Sequence, residues 1–191
     1  FFSIVDPEAP SIRKRSSDQS WPSENRIAFC RDAVSAVSEL HQLGFGGSDN
    51  PSPTLHRNIT TETLLVKYDD SPILTGLQFA QISDTSILIT GPRDASTAPE
   101  ILEGGIGVAS VKSDVFSLSH SLSVLFQDRD DVLSKEVLSL LQTGLNQEPD
   151  KRTELASLKE SLSSLLGESE KSDSTSGQEA PSHRYWSEEQ T

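Results

Sequence analysis

Between residues 26 and 44 the apolar positions fall three and four apart: Ile27, Cys30, Val34 and Val37, with His41 continuing the row. That spacing places them on one face of an α-helix, and Gly44 is a plausible stop. The stretch "GFGGSDNPSP" that follows is rich in turn formers. Two short apolar runs, "TLLVK" and "PILTG", flank "YDDS" and predict a β-hairpin with Asp69 and Asp70 in its turn. "SILITG" is expected to be a third extended piece, and residues 91–112 a loop with "APEIL" inside it. Ser113 or Asp114 is placed to cap the next helix, because a short side-chain oxygen accepts from free first-turn amides. That helix should bury Val115, Leu118, Leu122 and Leu125. "SKEVLSLLQTGL" predicts a further amphipathic helix ended by Gly144, "NQEPDKR" a connector, and Leu155, Leu158, Leu162 and Leu165 a last apolar stripe. The fold class expected from this pattern is mainly α with a small β-hairpin, without internal repeats.

The flanks differ. Residues 1–25 carry Pro7, Pro10, Pro22 and the run "RKR", which suits loop or partial helix. Residues 167–191 hold six acidic residues against Lys171 and Arg184, and are expected to be a polar acidic linker leading to a further domain. Hydrophobic residues make up only 34% of the 191, so part of the chain must be solvated. A net charge of −13 excludes a general nucleic-acid or anionic-membrane binder. No apolar run is long enough to span a bilayer, and the first residues lack the basic and apolar segments of a signal peptide. With no Met at the start or elsewhere, the chain is expected to be a segment of a longer protein. A single cysteine, Cys30, excludes an internal disulfide and fits a reducing, cytoplasmic setting. Its place on the helical stripe marks it as a packed thiol.

Candidate chemistry is sparse. The glycines at 44–47 lack the Lys-Ser or Lys-Thr of a phosphate loop and no strand precedes them. No G-x-S-x-G elbow appears, and no His or Cys cluster accompanies His56, so no metal site is expected. The pairs Asp69-Asp70 and Asp130-Asp131 suit solvated turns better than acid–base dyads. What remains is "LHRNITTETLLV", a polar tripeptide directly ahead of an apolar run.

That stretch, His56-Arg57-Asn58-Ile59-Thr60-Thr61-Glu62-Thr63, resembles the protein-kinase catalytic loop H-R-D-L-x-x-x-N. Four more fragments follow in the kinase order: "ILTGLQFAQ" resembles L-T-D-F-G-L-A, "APE" is intact at Ala98-Pro99-Glu100, "SDVFSLSHSL" resembles S-D-V-W-S-L-G, and "GLNQEPDKR" resembles the late G-L-x-x-x-P-x-x-R turn. Together they are similar to the C-terminal lobe of the protein-kinase-like α+β fold over residues 26–166, with residues 1–25 following the hinge. The N-terminal lobe, with its glycine-rich loop and strand lysine, would lie upstream and outside this chain. A Gly-, Ser- and Pro-rich insertion ahead of His56 departs from the family pattern.

The resemblance implies where chemistry should sit, and there this sequence departs from it. The carboxylate that accepts the substrate proton is replaced by Asn58, the lysine on the transferring phosphate by Thr60, and the asparagine on the second Mg²⁺ by Thr63. The Asp-Phe-Gly triplet is Gly76-Leu77-Gln78, so the principal Mg²⁺ ligand is missing as well. The resemblance also implies structural roles: His56 and Arg57 hold the loop to the helix at Asp114, and Glu100 pairs with Arg152. Chemistry lost with framework kept describes a pseudokinase with no cofactor; ATP and Mg²⁺ enter only if the domain is an unorthodox active serine/threonine kinase. Within the family the sequence is similar to the divergent first kinase domain of large PglW-type bacterial phage-defence proteins, in which a second kinase domain follows; "HRYWSEEQT" would lead into it. The expected function is a regulatory or scaffolding module of a defence protein. Its partners would be the upstream lobe, a downstream kinase domain and other proteins, with no nucleic acid or membrane. A helical interaction domain unrelated to kinases is the remaining alternative.

Overall fold

Helix α2 (Ser23–Gln42) begins directly after Pro22, whose extended backbone sets the chain direction into the first turn. Its inward face, Ile27, Cys30, Val34 and Val37, is fully buried, as the spacing requires. The computed structural model describes residues 9–44, 52–81 and 93–174, with backbone only from 168 onward. Among these residues the protein is mainly helical with one two-stranded antiparallel sheet.

A short helix α1 (Ile12–Ser16) precedes α2 and belongs to the core, since Ile12 and Trp21 are buried with it. Strands β1 (Leu64–Val66) and β2 (Pro72–Leu74) form the expected hairpin, pairing Leu64 with Leu74 and Leu65 with Ile73. Residues 10 and 11 flank the other side of β1: Val66 N–H donates to Pro10 C=O at 2.9 Å, and Ser11 bridges to Leu65. The turn places Asp70 at φ 61, a left-handed position that Asp tolerates better than most residues. The third extended piece expected at 86–91 lies outside the described residues, as do 45–51 of the turn-rich stretch and 175–191 of the linker.

Two expectations need correction. Residues 91–112 are not simply loop: α3 (Pro99–Gly104) forms with Pro99 in its first turn, where the missing N–H costs nothing. Ile101 and the following 3₁₀ turn at Ile106 bury against Phe116 in a small satellite cluster. Helix α4 (Val111–Ser123) also starts earlier than expected, with Ser110 as its N-cap. Ser110 N–H donates to Ser113 Oγ at 3.1 Å, so neither Ser113 nor Asp114 is the cap, and the Asp114 carboxylate is free of its own helix.

Helices α5 (Val132–Gln142) and α6 (Leu155–Ser174) complete the elements of the described residues. Asp131 caps α5 by accepting from Ser134 N–H at 2.9 Å, a structural use for what resembled a solvated pair. Helix α6 packs along α2 and brings Leu155, Leu158 and Leu162 into one core with α2, α4, α5 and the hairpin. It continues to Ser174, into the acidic stretch. No helix among the described residues is long and apolar enough to cross a membrane.

Arg26 is a core cation only 1% exposed. Its guanidinium donates to the backbone carbonyls of Trp21 (3.0 Å), Ser16 (3.2 Å), Leu125 (2.6 Å) and Asp18, and lies over the Trp21 ring. It thereby stitches the segment between α1 and α2 to the end of α4. Burial holds its pKa below the usual guanidinium value.

The turn after α5 approaches α4 closely at Gly144. A Cβ at Gly144 would stand 2.1 Å from Ser119 Oγ and 2.9 Å from its Cβ, whereas one at Gly107 would meet nothing within 4 Å. Gly144→Ala should therefore destabilise the protein by about 1–3 kcal/mol through overpacking, and Gly107→Ala by much less. Urea unfolding of the two variants checks this, with equal midpoints contradicting the close approach.

Candidate functional site

Asp114 lies in the first turn of α4 with its side chain only 3% exposed. One oxygen accepts from His56 N–H at 2.8 Å and the other from Arg57 N–H at 2.9 Å. His41 Nε2, near the end of α2, donates to the same carboxylate at 2.9 Å. This grip is needed because Arg57 sits at φ 64, a conformation that disfavours side chains with a Cβ. Three chain segments, distant in sequence, thus converge on one buried anion.

His56 is completely buried and both ring nitrogens are engaged. Nε2 is 2.9 Å from Thr75 C=O, and Nδ1 is 3.2 Å from Asn58 N–H. A carbonyl only accepts and an amide N–H only donates, so the ring is the neutral tautomer with its proton on Nε2. Burial lowers the His56 pKa below the ordinary 6.5, and the nearby Asp114 only partly opposes this. The Arg57 guanidinium reaches Gln81 Oε1.

The loop beyond His56 is held by hydroxyls. Thr63 Oγ1 accepts from Thr60 N–H at 2.8 Å and donates to Asn58 C=O at 2.9 Å, while Thr60 Oγ1 accepts from Glu62 N–H at 3.2 Å. Gly76 sits at φ +83, and a Cβ there would be 2.9 Å from Thr63 Cγ2 and 3.1 Å from Asn58 Nδ2. The expected positions Asn58, Thr63 and Gly76 therefore meet at one point, with Thr60 behind them. Leu77 is 50% exposed and opens a 3₁₀ turn with Gln78, also exposed, on the rim.

The three groups that meet at that point are uncharged. They are an amide, a hydroxyl and a bare backbone, none of which takes a proton near pH 7. No group of three or more His, Cys, Asp or Glu suited to a metal ion occurs among the described residues. Behind the loop a cavity of about 30 Å³ is lined by Asn58, Thr60, Ser96, Ala98, Ile101 and Asp114. It is of water size, with polar groups on one part of its wall and Ala98 and Ile101 on another. Ser96 Oγ closes one side by donating to Ile59 C=O at 3.1 Å.

The second constellation joins α3 to the turn before α6. Arg152 donates NH1 and NH2 to the two oxygens of Glu100, both at 2.7 Å, with the Arg side chain 0% exposed and the Glu 17%. Arg152 also donates to the carbonyls of Asn146 and Lys112, each at 2.8 Å, and stacks over Phe116. Ser113 Oγ, already fixed by Ser110, donates to Glu100 at 2.7 Å. Burial raises the Glu100 pKa, but the Arg152 and Ser113 hydrogen bonds outweigh it and the net value lies below the ordinary 4.5. The pair's contribution is thus complete above pH 4.5 and is lost as pH falls through the lowered folded value.

Three important residues were not singled out from sequence. His41 lay on an apolar stripe, with nothing local to mark its partner 73 residues away. Nothing local in the sequence marks Arg26 as a core cation, since its carbonyl acceptors include Leu125, 99 residues away. Asp70 accepts from Trp21 Nε1 (3.0 Å), Asn25 Nδ2 (2.9 Å) and Arg15 NH2 (3.2 Å), tying the hairpin turn to α1 and α2. The unusual Trp in a Pro-flanked connector was the one available hint of that anchor. No protein-family model matches this chain, and no curated protein matches it.

Lys151, next to Arg152, is mostly exposed and pairs with Glu148 on the surface. Arg152→Ala should cost about 3–5 kcal/mol by leaving Glu100 shielded and uncompensated, on the order of 10 °C in Tm. Lys151→Ala should cost less than about 1 kcal/mol. Thermal melts of both variants check the contrast, which equal melting temperatures would refute.

Proposed function

We propose that this chain is the C-terminal lobe of a catalytically degenerate protein-kinase-like domain, serving as a regulatory or scaffolding module in a larger protein, in keeping with a bacterial defence role. The observation that carries the reading is the pairing of a kept framework with a neutral centre. Asp114 grips the backbone of His56 and Arg57, and Glu100 forms a two-pronged pair with Arg152. These are the contacts the sequence resemblance implied. Asn58, Thr63 and Gly76 meet at one point, and none of the three carries a carboxylate.

Phosphoryl transfer needs a base to take the hydroxyl proton and anionic oxygens to hold Mg²⁺. An Asn amide supplies neither. General-base catalysis alone is worth about 10²–10⁴-fold, and the metal contributes separately. A domain that keeps its loop geometry without either is suited to holding partners. Leu77 is half exposed and Leu65 and Ile73 are incompletely covered on the hairpin side. That side is where an upstream lobe would sit, with a downstream kinase domain as a second partner in the same protein.

Two experiments test this. Radiolabelled ATP is offered to protein that includes the upstream lobe but no second kinase domain, and no metal-dependent incorporation is expected. Incorporation that disappears on changing Asn58 or Thr63 would establish an active, unorthodox kinase instead. Separately, adding the upstream sequence should raise the melting temperature and lower binding of a hydrophobic dye, because each 100 Å² of apolar cover is worth about 2.5 kcal/mol. No gain would favour a self-contained helical interaction domain.

A further inference from the structure

We propose that His56 makes the loop of residues 56–63 an acid-released latch, so that lowering the pH frees Asn58 and its neighbours while the helical core stays folded. The inference goes beyond the scaffold reading and stands without it, because it rests on how the ring is wired into the loop.

The neutral His56 ring has one protonated and one bare nitrogen, and each is used. Nε2–H donates to Thr75 C=O at the end of the hairpin, and bare Nδ1 accepts from Asn58 N–H. A second proton has only Nδ1 to bind. It would turn that acceptor into a donor facing another donor, so the bond to Asn58 must break. It would also place a charge on a ring with no solvent exposure.

The charged and titratable groups around the ring among the described residues come from three elements. Asp114 on α4 favours the cation, His41 on α2 opposes it, and Arg57 in the loop itself adds a positive charge beside the same carboxylate. Desolvation outweighs the Asp114 attraction, so the folded ring resists protonation. The sign follows: below pH 6.5 an opened loop binds a proton that the closed loop does not. Closure is therefore complete above about pH 6.5 and weakens as the pH falls toward the lowered folded value.

The consequence falls on the loop first. Arg57 is held at its left-handed φ by hydrogen bonds from its own and the His56 amide to Asp114. Asn58, one residue on, carries the amide that loses its acceptor. The Glu100–Arg152 pair and the α2–α6 core contain no histidine ring in their hydrogen bonds and should not respond in this range.

Hydrogen–deuterium exchange of the 191-residue chain between pH 5 and 7.5, corrected for intrinsic exchange rates, reads this directly. Peptides covering 55–63 should lose protection by about tenfold per pH unit below 6.5, while those covering 27–37 and 155–165 stay unchanged. His56→Gln should remove the pH dependence of the loop, and His120→Gln should leave it intact. If His56→Gln fails to fold, the carbon-bound ring proton of His56 in the unmutated chain, followed by NMR, decides: a midpoint below 6.5 that tracks the loss of protection is expected. Loop protection that is flat to pH 5, or that falls together with the core, would overturn the proposal, as would a His56 titrating at or above 6.5.

Discussion

A single buried carboxylate organises this protein. Asp114 stands on α4, the central helix, yet spends its hydrogen-bonding capacity on other parts of the chain: the His56 and Arg57 amides and the His41 ring. A carboxylate taken out of water is costly unless its lone pairs are filled, and these donors fill them. The exchange is mutual, since a left-handed arginine backbone has no reason to persist without a fixed acceptor. From that grip follow the placement of Asn58, the turn closed by Thr60 and Thr63, and the close approach of Gly76 to both. A helix, a loop and a hairpin are thereby registered against one another without a large interface between any two of them.

The same economy recurs one residue earlier on α4. Ser113 belongs to the cap of its own helix and also donates to Glu100, whose carboxylate is gripped by Arg152. Polar groups near the start of α4 thus fasten both the 56–63 loop and α3 to the same helix. A surface ion pair between long side chains would contribute little. This one is sheltered, two-pronged and backed by the Phe116 ring, which is why its geometry defines where α3 sits. The outcome is a polar frame around the uncharged groups of Asn58, Thr63 and Gly76.

Much of the frame was legible because helices announce themselves by period. The α2 stripe, the α4 face and the leucines of α6 all required burial on one side, and they are buried except for the partly covered His41 and Leu165 at the stripe ends. The hairpin was legible from two apolar runs around a turn. Other features left weaker traces. Helix α3 is too short to show a period, so only Pro99 hinted at a start. Asp114 resembled a cap because local spacing shows which amides are near in sequence, whereas its real donors lie 57 and 58 residues away. Asp70 looked like half of a solvated turn for the same reason, although Trp21, Asn25 and Arg15 all converge on it. The convergence of Asn58, Thr63 and Gly76 was anticipated only through the family resemblance, since nothing in their spacing brings Gly76 to the other two.

The pairing of α2 with α6 has a consequence for how the molecule is made. These are the first long helix and the last, and each covers the apolar face of the other. A ribosome adds about 5–20 residues per second, so α2 emerges on the order of ten seconds before the segment that shields it. During that interval its buried row of Ile27, Cys30, Val34 and Val37 faces water or whatever else is at hand. The hairpin, α4 and α5 cover part of that row as they emerge, and its closure waits on α6.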